Sequence, residues 1–492
     1  MKILFSISDR PTGRISFTQI LLFTLGIGLF SIIAACGGGG GGNENGPGPT
    51  PNPIIAAIEV SPASVTIAKN SSQQFSAVAR DSSGNALSGV TFTWSSDTPT
   101  IVSIDANGLA SGLAEGSATI TATSGGLSKT ATIQVTFRLF LSPTSYPVGP
   151  SPASISSGDF NDDGIVDLVS TNTDDNTISL LKGTGGGLFS VTQSYSVGIF
   201  PQSLTTGRFD PGTFDDLAVA NFGDPSHDSS ISMFLGIDSG IGSTTEVSLS
   251  TNGPIAIVTA DFNNDGKQDL ATLNLSTVDL SLIFGNGDGT FQSPLPVPFS
   301  GNGPIALLAV DLNNDTWMDL VVVFGSDNQI AILLNDGSGG FPSQQFFSTT
   351  GTNGVAGPNA IVSGDWNGDG NLDLAVVNSD SSQLILFFGD GIGGLSAQPV
   401  IIALGGRPEF AATGDFNHDG KPDIAVSNSA NKTVSILLNL GGGLFSDPIQ
   451  HPTGNRPLGV VARDLNGDGR DDLAVTNAGD NTISVFLQTN PD

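Results

Sequence analysis

The stretch Gly364-Asp365-Trp366-Asn367-Gly368-Asp369-Gly370-Asn371-Leu372-Asp373 sets five carboxylate or carboxamide side chains within nine positions, in a chain of which only 13% is charged. With Asp365 as position 1, four of them fall at positions 1, 3, 5 and 9, and glycine occupies position 6. Alternate side chains can converge on one cation if the backbone turns sharply after position 5, a turn glycine permits. An all-oxygen donor set of mixed charge suits the flexible coordination of calcium better than the strict octahedron of magnesium. The spacing follows the first half of an EF-hand loop, but position 12 is not a glutamate and strand-like sequence flanks the loop.

The pattern recurs. Full sets stand at Asp159/Asn161/Asp163/Asp167, Asp261/Asn263/Asp265/Asp269, Asp365/Asn367/Asp369/Asp373, Asp415/Asn417/Asp419/Asp423 and Asp464/Asn466/Asp468/Asp472. A sixth, Asp311/Asn313/Asp315/Asp319, has Thr316 in place of glycine. A β-branched residue resists positive φ, so a weaker site is expected there. The copy beginning at Arg208 carries Gly212 at position 5 and has lost two ligands. It should bind no metal, with the guanidinium taking the cation's place against Asp210 and Asp216. The expected cofactor is thus Ca²⁺ in five full loops and one weaker loop. Three carboxylates per loop repel one another without metal, so a chelator should loosen the fold.

First positions at residues 159, 208, 261, 311, 365, 415 and 464 recur at intervals of 49 to 54 residues. Each copy reads as a strand into the loop, a strand out, a third strand, a Gly-rich turn, and a fourth strand ending near Gly-x-x-Pro. Seven such copies are the size of four-stranded propeller blades. The last copy stops at "NTISVFLQTNPD" without a fourth strand, whereas "FLSPTSYPVG" (140–149) matches the fourth strand "FSVTQSYSVG" (189–198). Residues 140–149 should therefore pair beside 482–488 and close a ring, leaving no exposed sheet edge.

The fold class expected is all-β: a seven-bladed β-propeller over 137–492, preceded by a small Ig-like β-sandwich over 54–136. The array resembles the FG-GAP/VCBS repeats of integrin-α-like propellers, with Phe284-Gly285 and Phe388-Gly389 as the "FG" and "GPIAIVTADFN" as the second half. That resemblance implies structural calcium loops and ligand binding elsewhere on the propeller. Residues 54–136 resemble the bacterial Ig-like (BIG2) family through Val60-Ser61-Pro62, Thr93-Trp94-Ser95-Ser96, Asn107-Gly108-Leu109 and Gly116-Ser117-Ala118-Thr119-Ile120-Thr121-Ala122. This implies a spacer or adhesion module, with Trp94 a core residue.

Lys2, Arg10 and Arg14 precede an uncharged apolar run that ends in Ile33-Ala34-Ala35-Cys36. This layout is that of a secretory signal (1–35), and its end resembles the lipobox of bacterial lipoproteins, which implies a lipid on Cys36. Residues 36–53, rich in glycine and proline, should form a flexible linker. Gly37 after the lipidated cysteine implies outer-membrane sorting. A net charge of −30 argues against nucleic acid and anionic lipid surfaces as partners, and a lone cysteine excludes an intrachain disulfide.

No catalytic residue is assigned. His227, His418 and His451 stand apart, and no Ser-His-Asp, P-loop or zinc spacing occurs. Asp228-Ser229-Ser230-Ile231-Ser232 resembles a metal-dependent adhesion motif but lies in register with "DNTIS" of the first and last copies, where a strand begins. The two longest copies gain residues at 222–229 and 349–359, connections on the face opposite the acidic loops. Loops on a rigid scaffold carry recognition, so that face should bind the ligand. The expectation is a monomeric envelope lipoprotein that binds an extracellular protein or polysaccharide. The competing class is an enzyme acting on glycans or lipids, because paired carboxylates recur throughout the array.

Overall fold

A computed structural model describes residues 54–488, apart from Asn70, 137–138, 191–192, Pro225, Ser243, 251–252, 352–353 and Val355. The expected signal, Cys36 and the linker lie outside the described residues. No helix occurs among the described residues.

Residues 144–486 form seven antiparallel four-stranded sheets. The first strands are Pro152–Gly158, Pro201–Gly207, Pro254–Ala260, Pro304–Val310, Pro358–Gly364, Pro408–Gly414 and Pro457–Arg463. Each opens on proline, which is tolerated as the first residue of a strand because no ladder donor is needed there. Each second strand, such as Asp373–Asn378, is buried at every residue. Burial on both faces explains why these segments read as continuous apolar runs rather than alternating ones.

The burying surfaces are the neighbouring sheets. Seven apolar cores each join two successive repeats; one, for example, packs Val321 and Ile332 of the fourth against Val376 and Ile385 of the fifth. One of the seven joins the last repeat to the first, through Leu465, Ile483 and Val485 against Ile155, Leu168 and Leu181. The first strands pack side by side in chain order, and Pro457–Arg463 packs against Pro152–Gly158. At roughly 1.5–3 kcal/mol per fully buried large aliphatic side chain, these inter-sheet cores dominate the favourable side of folding.

The pairing expected for 140–149 beside 482–488 is present. Thr144–Pro147 runs antiparallel to Thr482–Phe486, with Thr144 opposite Val485 and Pro147 opposite Thr482. A bridge between Phe140 and Gln488 extends it. Phe140 is buried with its ring edge-on to Phe416 (5.8 Å), Phe486 (6.1 Å) and His451 (5.3 Å). Such aromatic pairs add about 0.5–1.5 kcal/mol each beyond area burial.

In the N-terminal domain three small sheets enclose one core built on Phe75, Ile120, Ile133 and Val135. Trp94 differs from expectation: it is half-buried at the margin of that core, its ring 6.4 Å from Phe75.

Candidate functional site

The acidic loops join the first and second strands of each repeat, and six share one geometry. In the fifth repeat Asp365 curls back over the turn: Oδ1 accepts the amides of Gly368 (2.8 Å) and Asp369 (3.2 Å), and Oδ2 that of Gly370 (2.9 Å). Asn367 Oδ1 accepts the Asp369 amide at 2.8 Å, and Asp369 Oδ1 accepts the Asn371 amide at 2.9 Å. Bonds from the amides of positions 5 and 6 to the position-1 carboxylate recur at Asp159, Asp261, Asp311, Asp415 and Asp464.

Positions 3 and 5 repeat their bonds as well. Asn161, Asn263, Asn313, Asn417 and Asn466 each accept, through Oδ1, the amide two residues on, at 2.8 to 3.1 Å. Asp163, Asp265, Asp315, Asp419 and Asp468 accept the position-7 amide through Oδ1 at 2.8 to 3.0 Å. Two positions take positive φ rather than one. Besides position 6, where Thr316 is held at 74°, position 4 is left-handed in Asp162, Asn264, Asn314, Gly368, His418 and Gly467. The signal lay in those residue types, nearly all Asp, Asn or Gly, which accept this region most readily.

Among the described residues, no group of three or more His, Cys, Asp or Glu side chains is arranged to hold a metal ion. The expected sets mix carboxylates with an asparagine carboxamide, as in Asp365, Asn367 and Asp369. Each loop does bring its residues at positions 1, 3 and 5 together, as with Asp159, Asn161 and Asp163, but their oxygens have turned onto the loop's own amides. The physical reason is local: a tight turn leaves several amides without ladder partners, and like charges gain by facing donors rather than one another. The outer oxygen of position 5 is held by a cation at position 7 in three repeats: Lys267–Asp265 at 3.5 Å, Lys421–Asp419 at 2.8 Å and Arg470–Asp468 at 3.4 Å. In others the position-3 carboxamide donates to it, from Asn313 to Asp315 at 2.7 Å and from Asn367 to Asp369 at 3.0 Å. The donors are still hard oxygens with unshared lone pairs, so the set fits calcium in kind. A bound ion would take over the position-5 oxygens now held by lysine, arginine or asparagine.

Position 9 carries a task that its spacing did not show. Asp373 Oδ2 accepts the Trp366 amide (2.9 Å) and Oδ1 accepts the Gly389 amide (2.9 Å), clamping the loop to the end of the third strand. The same pair of bonds is made by Asp167, Asp216, Asp269, Asp319, Asp423 and Asp472. These carboxyls are fully buried. Burial pushes Asp167, Asp269, Asp319 and Asp472 up to about 6 and Asp423 to about 7, against the lowering by the amide bonds; neighbouring loop carboxylates add to the rise. At the glycine of "FG" the chain comes close, since a Cβ on Gly389 would lie 2.2 Å from the Leu372 carbonyl oxygen, though Asn335, Asn439 and Gln488 donate the same clamp bond in other repeats.

The second repeat lacks this loop geometry. No residue from 208 to 216 has positive φ, and Pro211 could not adopt it at position 4. Arg208 does not lie against Asp210 or Asp216 as expected. Its Nε is 3.5 Å from Asp215, while Asp210 accepts the Gly212 amide and Asp216 makes the two clamp bonds. The guanidinium is mostly exposed and follows the nearest solvated carboxylate. Asp215 also accepts the Asp159 amide of the preceding repeat at 2.9 Å. Ser230 and Ser232, from the adhesion-like motif, accept from Asn221 Nδ2 at 3.1 and 2.8 Å, a strand-to-strand link.

At the other end of the sheets lies a cavity of about 760 Å³ to which all seven repeats contribute. Its walls are the starts of first strands and the ends of second strands, opposite the acidic loops. Its titratable lining residues are Asp174, Asp380, Arg407 and Arg456. Of the two long connections, only the end of 349–359 reaches it, through Gly357, Pro358 and Asn359. The 222–229 connection builds a separate hollow of about 360 Å³ in which His227 Nδ1 lies 2.8 Å from Asp224.

Comparison with known proteins agrees with this architecture. Residues 54–135 match the bacterial Ig-like domain (group 2), and residues 261–322, 311–376, 365–426 and 415–475 match the FG-GAP-like repeat. Each repeat match starts at position 1 of an acidic loop. The protein is therefore an Ig-like domain followed by an FG-GAP-like repeat array. Ice-binding protein 1 of Shewanella frigidimarina (strain NCIMB 400) is 36% identical over 122 residues, 23% of this chain and 14% of that protein's length. Among solved structures, BBS1N in complex with ARL6DN aligns over 72% of this chain and 99% of its own, at 13% identity and a TM-score of 0.52. The periplasmic gluconolactonase PpgL of Pseudomonas aeruginosa aligns over 70% of this chain and 94% of its own, at 16% identity and a TM-score of 0.46. At these identities the structural likenesses do not bear on activity.

Proposed function

We propose that the chain is a non-enzymatic envelope lipoprotein whose repeats form a closed seven-bladed propeller stiffened by Ca²⁺. On this reading it binds an extracellular polysaccharide or protein in the cavity away from the acidic loops. The observation that carries the reading is that cavity, drawn from all seven repeats at one end of the sheets. Ring closure is supported by the strand Thr144–Pro147 beside Thr482–Phe486 and by the core joining last repeat to first. Among the described residues the lining holds no histidine, cysteine or lysine to activate its hydroxyls, so any turnover there would fall to Asp174 and Asp380. Calcium is the reading the oxygen-only loops support; Asp159, Asp261, Asp311, Asp365, Asp415 and Asp464 with their partners at positions 3 and 5 would hold it.

The lipid anchor at Cys36 and outer-membrane placement rest on the sequence of residues 1–37. Protein and glycan arrays run beside a hydrolase screen, each with calcium and with EDTA, test the whole. Saturable binding without turnover, weakened in EDTA, is expected. Turnover of a glycan or lipid, or a melting curve indifferent to EDTA, would overturn it.

A further inference from the structure

The residue before the proline that opens each first strand sits at the rim of the cavity's end of the sheets. In chain order it is Ser151, Phe200, Gly253, Gly303, Gly357, Arg407 and Arg456. All but Arg407 have positive φ, from 52° to 66°. Glycine takes that conformation freely, and three repeats use it. Ser151, Phe200 and Arg456 share it at 52° to 53°, so the conformation belongs to the turn before each first strand.

Two successive repeats thus bring an arginine to the same rim position and line the cavity with it. Both are exposed. Arg407 is steadied through Nε, 3.5 Å from Glu409 Oε1. Glu409 is in turn fixed by Ser429 (2.6 Å) and by Asn359 (3.2 Å), a residue of the cavity wall. Among the described residues, this tether is the one pairing of the Arg407 guanidinium, and its terminal nitrogens have no partner. Among the described residues, no hydrogen bond or ion pair engages the Arg456 side chain. In a chain of net charge −30, whose acidic-loop cations Lys267, Lys421 and Arg470 are each spent on a neighbouring aspartate, two available guanidiniums stand out.

The remaining lining has two further characters. Ile305, Leu275 and Phe410 present apolar surface and are each more than a third exposed. Asp174 and Asp380, with neutral hydroxyl and amide side chains such as Gln202 and Ser326, supply hydrogen-bond acceptors and donors between them. Guanidinium groups pair with carboxylates bidentately. Carboxylate acceptors facing a ligand call for hydroxyl donors on it, and apolar side chains cover the C–H faces of a sugar ring. A ligand that is anionic, polyhydroxylated and apolar on its ring faces satisfies all three.

Building on the binding role proposed above, we propose that the cavity recognises a uronic-acid-containing oligosaccharide, with Arg407 and Arg456 pairing to its carboxylates. Calorimetric titration of the full mature chain with oligogalacturonate, in calcium-replete buffer, tests this. Fully methyl-esterified oligogalacturonate, a neutral cello-oligosaccharide and a glutamate-rich peptide are the comparison ligands. Oligogalacturonate should bind, and its methyl ester should bind at least roughly ten-fold more weakly, as loss of charge-assisted hydrogen bonds implies. Arg407→Ala/Arg456→Ala should weaken the acidic sugar by a similar factor with an unchanged melting curve. Arg407→Lys/Arg456→Lys should restore only part of the affinity.

No oligogalacturonate binding, preference for the peptide, or binding that survives the arginine substitutions would overturn the proposal, the last indicating calcium-bridged attachment at the acidic loops. Failure of the broader reading looks different. A neutral sugar or protein whose binding is lost in Phe410→Ala would sink only the uronate assignment. A ligand indifferent to Phe410→Ala and to both arginine substitutions would sink the cavity itself.

Discussion

The loops of the second and fifth repeats occupy the same place between equivalent strands, yet share little chemistry. Residues 365–373 keep every acidic position and two left-handed turns, whereas 208–216 have Arg208, Pro211 and Gly212 and neither turn. Both keep position 9, and Asp216 and Asp373 make the same two amide bonds. Positions 1 and 5 are therefore dispensable for building a repeat, whereas position 9 is kept, and position 3 keeps its bond as well, Asp210 accepting the Gly212 amide as Asn367 accepts that of Asp369. What looks like one motif is two devices laid over one another: a surface loop suited to a cation, and a buried clamp that every repeat needs.

The largest test of that separation removes the clamp. Asp216→Ala strips two charge-assisted bonds and leaves two buried amides without acceptors, a loss of about 3–4 kcal/mol. Asp373→Ala should cost the same in EDTA, read as a shift in urea midpoint. A much smaller effect at Asp216 would merge the two devices again. Next in size is a graft. Arg208→Asp/Pro211→Gly/Gly212→Asp/Thr213→Gly should add one equivalent to the calcium bound, whereas Arg208→Asp alone should add none, since Pro211 still blocks the turn. Titration calorimetry counts the equivalents.

Thr316→Gly sharpens the comparison within the six acidic loops. Relieving a Cβ at φ 74° gains roughly 1–2 kcal/mol, and the entropy cost of glycine returns roughly 0.5–1. A net stabilisation of about 0.5–1 kcal/mol, with tighter calcium in that loop, should appear in thermal melts. A loss would show that the turn is unstrained.

The smallest effect concerns His451, whose ring meets Phe140 and Phe486 at the joint between the first and last segments of the array. Burial lowers its basicity below the ordinary 6.5. The unfolded chain then takes up a proton more readily than the folded one, so stability contributed by the neutral ring is full above 6.5 and falls as pH drops through the lowered value. His451→Gln should flatten this part of the melting profile between pH 7.5 and 5. Identical slopes for the two proteins would remove the histidine from the account.

Much of this was legible in the residues. Repeat spacing and the match of 140–149 to 189–198 gave the sheets and the pairing at the joint, because seven copies average away local noise. The alternation Asp365, Asn367, Asp369 marked the loop, because ligand spacing is local. Which way those oxygens turn was not legible, because the competing amides carry no side-chain signature. The clamp was hidden for the same reason: its partner amides lie seven residues back and sixteen or twenty ahead. Its one sequence signal was Asp216, kept where positions 1 and 5 had lost their acids. The rim arginines were in plain view in "GGRP" and "GNRP", but that they share one cavity depends on how the sheets are arranged.

The hydrogen bond from the Ser151 amide to Asn481 Oδ1 spans 330 residues. The opening segment of the array is thus synthesised long before the strand it must meet, and its edge waits unsatisfied while every intervening unit emerges. Contacts of such separation form slowly and late, and a waiting edge invites the wrong neighbour. Completion has to wait until Thr482–Phe486 has been made, so the joint is among the last contacts the array can form.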